Sequence, residues 1–191
     1  MHQKTHQTAV VIIPPKETWA SIQSIRQQHD ANYRRWMPHI TLMYPFRPRA
    51  EFDLVADQLS QTCQSQSPFW ICLKLFRFFS HHQSRYTIWL DPQPPSSTLG
   101  TNSDRQNPIK DLQKDLWQTI PDCDDTRRFK NGFTPHLSVG QATSKLNLDH
   151  FLSQFQQEWQ PLTFHVSEVY LIWRNDPPND VFEVARTITF S

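Results

Sequence analysis

Glycine is scarce in this chain, with 3 residues against 15 prolines. Stiff turns are therefore expected in place of flexible linkers. Cysteine is scarce too. Cys63, Cys72 and Cys123 are odd in number and lack the short paired spacing of a zinc or dithiol motif. There is no excess of either charge: 19 basic against 18 acidic residues leave a net charge of +1. A protein that coats nucleic acid by charge alone is far more basic. Contact with nucleic acid is thus expected to be local, at an end or a single nucleotide. No apolar run approaches membrane-spanning length, and the opening MHQKTHQTAV has no apolar signal core. These absences point to a soluble, reduced, intracellular chain, cytoplasmic or nuclear, with no membrane partner. What the chain does have is large side chains for a core, 13 Phe and 7 Trp, at a mean hydropathy of −0.63. Its 191 residues suit one domain built as two intimate lobes.

The hydrophobic periods divide the chain. Ala9–Ile13 is a short apolar run stopped by Pro14-Pro15, which predicts a strand buried on both faces. Helical spacing of Trp19, Ile22 and Ile25 predicts a helix over Glu17–His29, and Leu54, Val55 and Leu59 predict another over Asp53–Cys63. Ile40–Phe46 predicts a strand. Phe69–Phe79 and Arg85–Leu90 predict a hairpin across SHHQS, whose His81 and His82 are expected in solvent. Asp91–Pro108 is polar and proline-rich and predicts a mobile loop. Beyond it come a helix on Ile109, Leu112, Leu116 and Ile120, a strand over Leu137–Ala142, and a helix on Leu148, Phe151, Leu152, Phe155 and Trp159. Phe164–Trp173 and Phe182–Phe190 predict two last strands joined by NDPPND. Each half thus runs strand, helix, then two strands. The expected fold is α+β and bilobal: two pseudo-twofold-related, antiparallel-rich sheets face a central cleft, with helices outside.

Two stretches occupy matching places in this layout. PHITLMYPF spans Pro38–Phe46 and FTPHLSVGQ spans Phe133–Gln141. Residues two apart in a strand share a face. His39 and Thr41 therefore point one way, with Ile40 and Leu42 the other. His136 and Ser138 likewise stand opposite Leu137 and Val139. One such motif is an ordinary structural histidine. Two, each after a proline and each in a matched strand, put two imidazoles and two hydroxyls across one cleft.

That set suits a phosphoester. With an unperturbed pKa of about 6.5, one imidazole can be neutral and the other charged near neutral pH. The neutral one takes a proton from the nucleophile and the charged one gives a proton to the leaving oxygen. The hydroxyls can donate to the non-bridging oxygens. Zinc would want three or four protein ligands, and no acidic or Cys partner stands at suggestive spacing beside either histidine. No metal and no cofactor is expected. Gly140 can allow close approach of backbone beside the second motif.

RWMPHITLMYPF and FTPHLSVGQ resemble the paired motifs of the two-histidine (2H) phosphoesterase superfamily, which includes the 2′-5′ RNA ligase-like proteins and cyclic nucleotide phosphodiesterases of RNA processing. The order of elements is similar as well, over roughly Ala9–Phe190. The resemblance implies metal-independent chemistry on a 2′,3′-cyclic phosphate or a 2′-5′ phosphodiester. It places the catalytic pair on His39 and His136 and phosphate-binding hydroxyls on Thr41 and Ser138. The expected partners are RNA 3′ ends, short oligonucleotides or cyclic nucleotides, met by a monomer. The alternatives are a non-catalytic nucleotide- or RNA-binding module of the same fold, and an RNA 2′-5′ ligase. Arg34, Arg35, Arg47, Arg49, Arg127, Arg128 and Lys130 flank the motifs and could guide phosphates, Arg47 and Arg128 foremost. Tyr44, Phe46, Phe79 and Trp173 are candidates for stacking on a base.

Overall fold

A computed structural model describes residues 3–95, 107–129 and 131–191. Eight strands form two four-stranded sheets, antiparallel throughout. In chain order the elements are β1 (Thr8–Ile12), α1 (Trp19–His29), β2 (Ile40–Met43), α2 (Phe52–Cys63), β3 (Phe69–Ser80), β4 (Tyr86–Gln93), α3 (Pro108–Thr119), β5 (Leu137–Ala142), α4 (Lys145–Glu158), β6 (Leu162–Val166), β7 (Glu168–Trp173) and β8 (Glu183–Thr189). One sheet has the order β2-β1-β7-β8 and the other β5-β4-β3-β6. The two orders superpose position by position, and the two motif strands, β2 and β5, are the equivalent edges. The pseudo-twofold layout is therefore present, with an interleaving: each half contributes its later strands to the sheet of the other half.

Local chemistry explains the element ends. β1 is buried along its whole length. Val10 and Ile12 enter the main core, while Ala9 and Val11 pack on the opposite face beneath Trp36, Tyr44 and Phe182. The helix α3 starts on Asn107, whose side chain accepts from the Ile109 N–H at 3.0 Å, with Pro108 at the first helical position. Ser144 caps α4 in the same way through the Asn147 N–H at 3.1 Å. Helices α2 and α3 pack on the β2 sheet and α4 on the β5 sheet. Helix α1 departs from this pattern. It precedes β2 in the chain yet lies against β5.

Three boundaries differ from the hydrophobic reading. Phe164–Trp173, expected as one strand, is two. β6 pairs with β3, and after Ser167 the chain crosses to the other sheet, where β7 pairs with β1 and β8. The polar pair Ser167-Glu168 stands at the crossing, but such a pair also fits within one half-exposed strand and does not by itself mark a change of sheet. β2 ends at Met43, and Phe46 makes only an isolated bridge to Thr5. The loop expected over Asp91–Pro108 begins later, because β4 continues through Gln93 on hydrogen bonds to β3. Residues 96–106 of that loop lie outside the described residues, as does Lys130.

Candidate active site

Both motif strands carry the same irregularity. In β2, Val10 pairs with Met43 and Val11 with Thr41, so Leu42 is an extra residue. In β5, Ile88 pairs with Gly140 and Trp89 with Ser138, so Val139 is extra. Each bulge directly follows the hydroxyl residue. Two consecutive buried residues result in each strand, Leu42-Met43 and Val139-Gly140. The alternation then resumes out of phase, which returns Tyr44 and Gln141 to the face of the histidines. Bulges of this kind re-aim side chains beside functional sites. Simple alternation could not have found Gln141.

The histidines themselves are held alike. His39 Nδ1 lies 2.7 Å from the Met37 carbonyl, and His136 Nδ1 lies 2.8 Å from the Thr134 carbonyl. A carbonyl can only accept, so each Nδ1 carries the proton in the neutral ring, and Nε2 is left as the base. In both cases the accepting residue is two positions back, across Pro38 or Pro135, each of them buried. The proline fixes φ and removes a competing N–H donor at the middle of this tight link. The Pro-His pair visible in both motifs is thus a tautomer lock.

The rings are also packed. His39 stacks on Trp36 (centroids 4.5 Å, 17°), and Trp36 on Phe182 (3.7 Å). His136 meets the edge of Phe79 at 5.0 Å and of Trp89 at 5.9 Å, and those two rings stack on each other. Burial lowers the pKa of His39 to about 4; the nearby charges of Arg26 and His136 reinforce this, while the Met37 carbonyl and Asp30 oppose it. Burial also lowers the pKa of His136, opposed by the Thr134 carbonyl. Both imidazoles are therefore neutral at pH 7 in the free protein. Two cations cannot share an enclosed site cheaply.

His39, His136 and Ser138 line one cavity of about 540 Å³, between the two sheets. Phe79 lines it as well. Its other walls include Arg26, Asp30, Trp36, Phe129, Thr134 and Gln141. Thr41 is half-buried and pairs with Val11 of β1, and it does not line this cavity.

The remaining sequence candidates fall elsewhere. Phe46 is fully buried in the core beside Phe52 and has no free face for a base. Arg47 is buried and paired with Asp122 at 2.6 Å. Neither can act as a surface contact, which corrects both expectations. Arg128 is exposed and paired with Asp124 and Asp125, and it does not line the cavity, although its neighbour Phe129 does. Trp173 carries Arg49 on its face at 3.5 Å, also away from the cavity. Tyr44 packs edge-on against Trp36, and its hydroxyl donates to the His6 carbonyl at 3.2 Å. His81, expected in solvent, is exposed at the cavity rim, with Nε2 2.9 Å from Thr87 Oγ1. Sequence reasoning passed over Arg26, Asp30 and Gln141. The first two are an i, i+4 pair on a helix, which in isolation reads as an ordinary surface pair.

No three His, Cys, Asp or Glu side chains gather as metal ligands among the described residues. The arrangement is a two-lobed site with one tautomer-locked histidine from each lobe and a hydroxyl beside the second. That geometry defines a class of acid–base sites for phosphoesters. The chain belongs to the 2′-5′ RNA ligase superfamily, the two-histidine phosphoesterases, whose family model matches residues 14–178. It is 27% identical over 133 residues to a Geobacillus kaustophilus protein provisionally named phosphoesterase GK0864, an overlap of 69% of this chain and 67% of that one. Its fold is similar to TT0787 of Thermus thermophilus (TM-score 0.62, 14% identity, covering 96% and 97% of the two chains). It is similar also to E. coli LigT complexed with NADP+ (TM-score 0.58, 17% identity, 97% and 98%) and with 3′-AMP (TM-score 0.55, 14% identity, 99% of both).

Proposed function

We propose that this chain is a metal-independent phosphodiesterase that acts on 2′,3′-cyclic phosphate RNA ends or nucleotides, or on 2′-5′ phosphodiester linkages. The observation that carries this reading is the matched pair of Nδ1-locked imidazoles opening on one cavity. Each leaves Nε2 to exchange a proton with substrate. In the proposed reaction one neutral Nε2 takes a proton from the attacking oxygen. The other imidazole, protonated, gives its proton to the leaving oxygen. Because both rings are held neutral in the free protein, the phosphodiester anion supplies the charge that raises the pKa of the acid. Ser138 donates to a non-bridging oxygen, and Thr41 is proposed to do so from the other lobe.

The cavity volume is that of a small-ligand site. The LigT structures carry 3′-AMP, ATP and NADP+, and a nucleotide-sized ligand is proposed here on that likeness. Phe79, on the cavity wall, is the proposed stacking partner for a base. The proposed catalytic unit is the whole of 1–191, acting as a monomer.

The test is a panel of 2′,3′-cyclic nucleotides, 2′-5′ oligonucleotides and 3′-5′ controls, incubated in EDTA. Turnover of one of the first two classes is expected, with no turnover of the third. Activity that dies in EDTA and returns with zinc or manganese would overturn the metal-independent mechanism. Binding without turnover would leave a nucleotide-binding module, and joining of ends in place of cleavage would make the chain a ligase.

A further inference from the structure

The two histidines belong to different sheets, so something must set the distance and angle between them. Helix α1 packs on β5 and leads through Trp36 to the histidine of β2's sheet, and at its C-terminal end it carries a buried charged pair. Arg26 is 2% exposed and Asp30 is 8% exposed. Arg26 spends its donors in three directions. Nε donates to Asp30 Oδ2 at 2.9 Å, Nη1 to Gln23 Oε1 at 2.9 Å, and Nη2 to the Trp36 carbonyl at 2.9 Å. Trp36 is the ring on which His39 stacks. Asp30 faces the other way. Its Oδ1 accepts from the Asn32 N–H at 2.9 Å and from Gln141 Nε2 at 3.1 Å. Gln141 lies on β5, the strand that carries Ser138 and directly follows His136, and its Oε1 accepts from the Ala31 N–H at 2.8 Å. Gly140 lets this contact close. A Cβ there would stand 2.8 Å from His29 Cβ.

We infer that Arg26, Asp30 and Gln141 are positioning residues: a buried clamp that holds the Trp36–His39 stack of one lobe in register with the His136 strand of the other. The inference rests on the phosphodiesterase reading for its kinetic arm only.

Burial favours this role over a merely stabilising one. A buried ion pair is weak evidence for stability, since apolar replacements of similar volume often serve as well. Its directed hydrogen bonds do what an apolar pair cannot, because they fix the Trp36 backbone and the Gln141 side chain at set distances. All three side chains also line the cavity, so the clamp lies where a shift between the lobes would be felt directly.

The test uses the full chain and two variants. Arg26→Met with Asp30→Leu removes both charges at once and leaves no orphan ion. Gln141→Glu keeps the acceptor for Ala31 and sets a carboxylate against Asp30 in place of the donor. Folding is checked by circular dichroism and melting. With the best substrate of the panel, kcat is expected to fall about 10²-fold in a folded variant, since misplacement of about 1 Å carries a loss of that size. KM should stay within about threefold. NMR provides a reading that needs no activity: the His39 ring protons, shifted upfield by the Trp36 ring, should move toward unstacked positions in both variants.

A folded double variant that keeps kcat within about threefold of the natural chain overturns the clamp, as does a loss confined to KM. If the natural chain turns over nothing in the panel, the phosphodiesterase reading falls and the spectrum alone decides. Unchanged His39 ring resonances in both variants then overturn the clamp. If the double variant does not fold, Gln141→Glu is judged by the same criteria.

Discussion

Among single residues, the proposed chemistry turns on two imidazoles whose free nitrogen is chosen for them. His39→Ala and His136→Ala are each expected to lower kcat/KM by about 10²–10⁴-fold. The double variant should lose far less than the product, because the two act as a unit; a multiplicative loss in steady-state kinetics would mean independent roles. Ser138→Ala removes one hydrogen bond to a charged oxygen, a loss of roughly 1.5–3 kcal/mol in transition-state binding. Thr41→Ala should cost less, since Thr41 lies off the cavity wall.

The lowered pKa values set two pH profiles. The general acid must be protonated in the free enzyme, so kcat/KM should peak below about pH 6.5, and the kcat profile should lie higher in pH because the bound phosphate raises the acid. Stability follows the same groups. His39 has a folded pKa of about 4, below that of the unfolded chain, so the unfolded chain binds more protons between the two values. Stability is thus lost as pH falls from about 6.5 toward 4, by up to about 3 kcal/mol from this group. Melting curves of His39→Ala against the natural chain should converge over that window. Parallel curves would mean the ring is not buried neutral.

Among the strands and helices, the bulges and the Gly140 contact matter most. Gly140→Ala puts a methyl against His29 Cβ and close to the His29 carbonyl. Neither neighbour is the far end of a flexible chain, so α1 or β5 must move. A loss of about 1–3 kcal/mol is expected in denaturant unfolding, together with reduced kcat; full stability would show that the helix can shift freely. Most elements were legible beforehand from period and punctuation. Leu137–Ala142 was expected as a strand and is one. Val55 and Leu59 marked α2 correctly, because with Phe52 and Cys63 they form the buried stripe, whereas Leu54, counted with them, is exposed. The extra residues Leu42 and Val139 were not legible. A bulge is a property of two paired strands, and neither strand carries it alone. The division of Phe164–Trp173 between two sheets escaped notice for the same reason.

Over the full chain, two lobes built from interleaved halves enclose the site, so ligand binding should stabilise the entire fold. At a free nucleotide concentration of about 100 times Kd, the gain is about 2.7 kcal/mol. Adding 3′-AMP should therefore raise the melting temperature of the natural chain. It should raise that of His136→Ala less, and an equal shift in both would place the nucleotide outside the cavity. Among the described residues no helix is long and apolar enough to cross a membrane.

The order of residues alone was enough to point to the superfamily and to the chemistry proposed here. Two Pro-His motifs with a hydroxyl two positions on required strands, a shared face and a matched pair, because the strand period is a local property of the backbone. That order could not say which of the other candidates would reach the site. Phe46 and Arg47 sit in the quoted motif or directly after it, yet the early end of β2 turns them into the core. Arg26 and Asp30, far from either motif and unremarkable on a helix, reach the site because α1 crosses to the opposite lobe. The protonation states were likewise set by the packed fold. An imidazole has the same intrinsic pKa in any sequence, and only enclosure between two sheets, beside another histidine and a buried guanidinium, removes the water that stabilises the charged form.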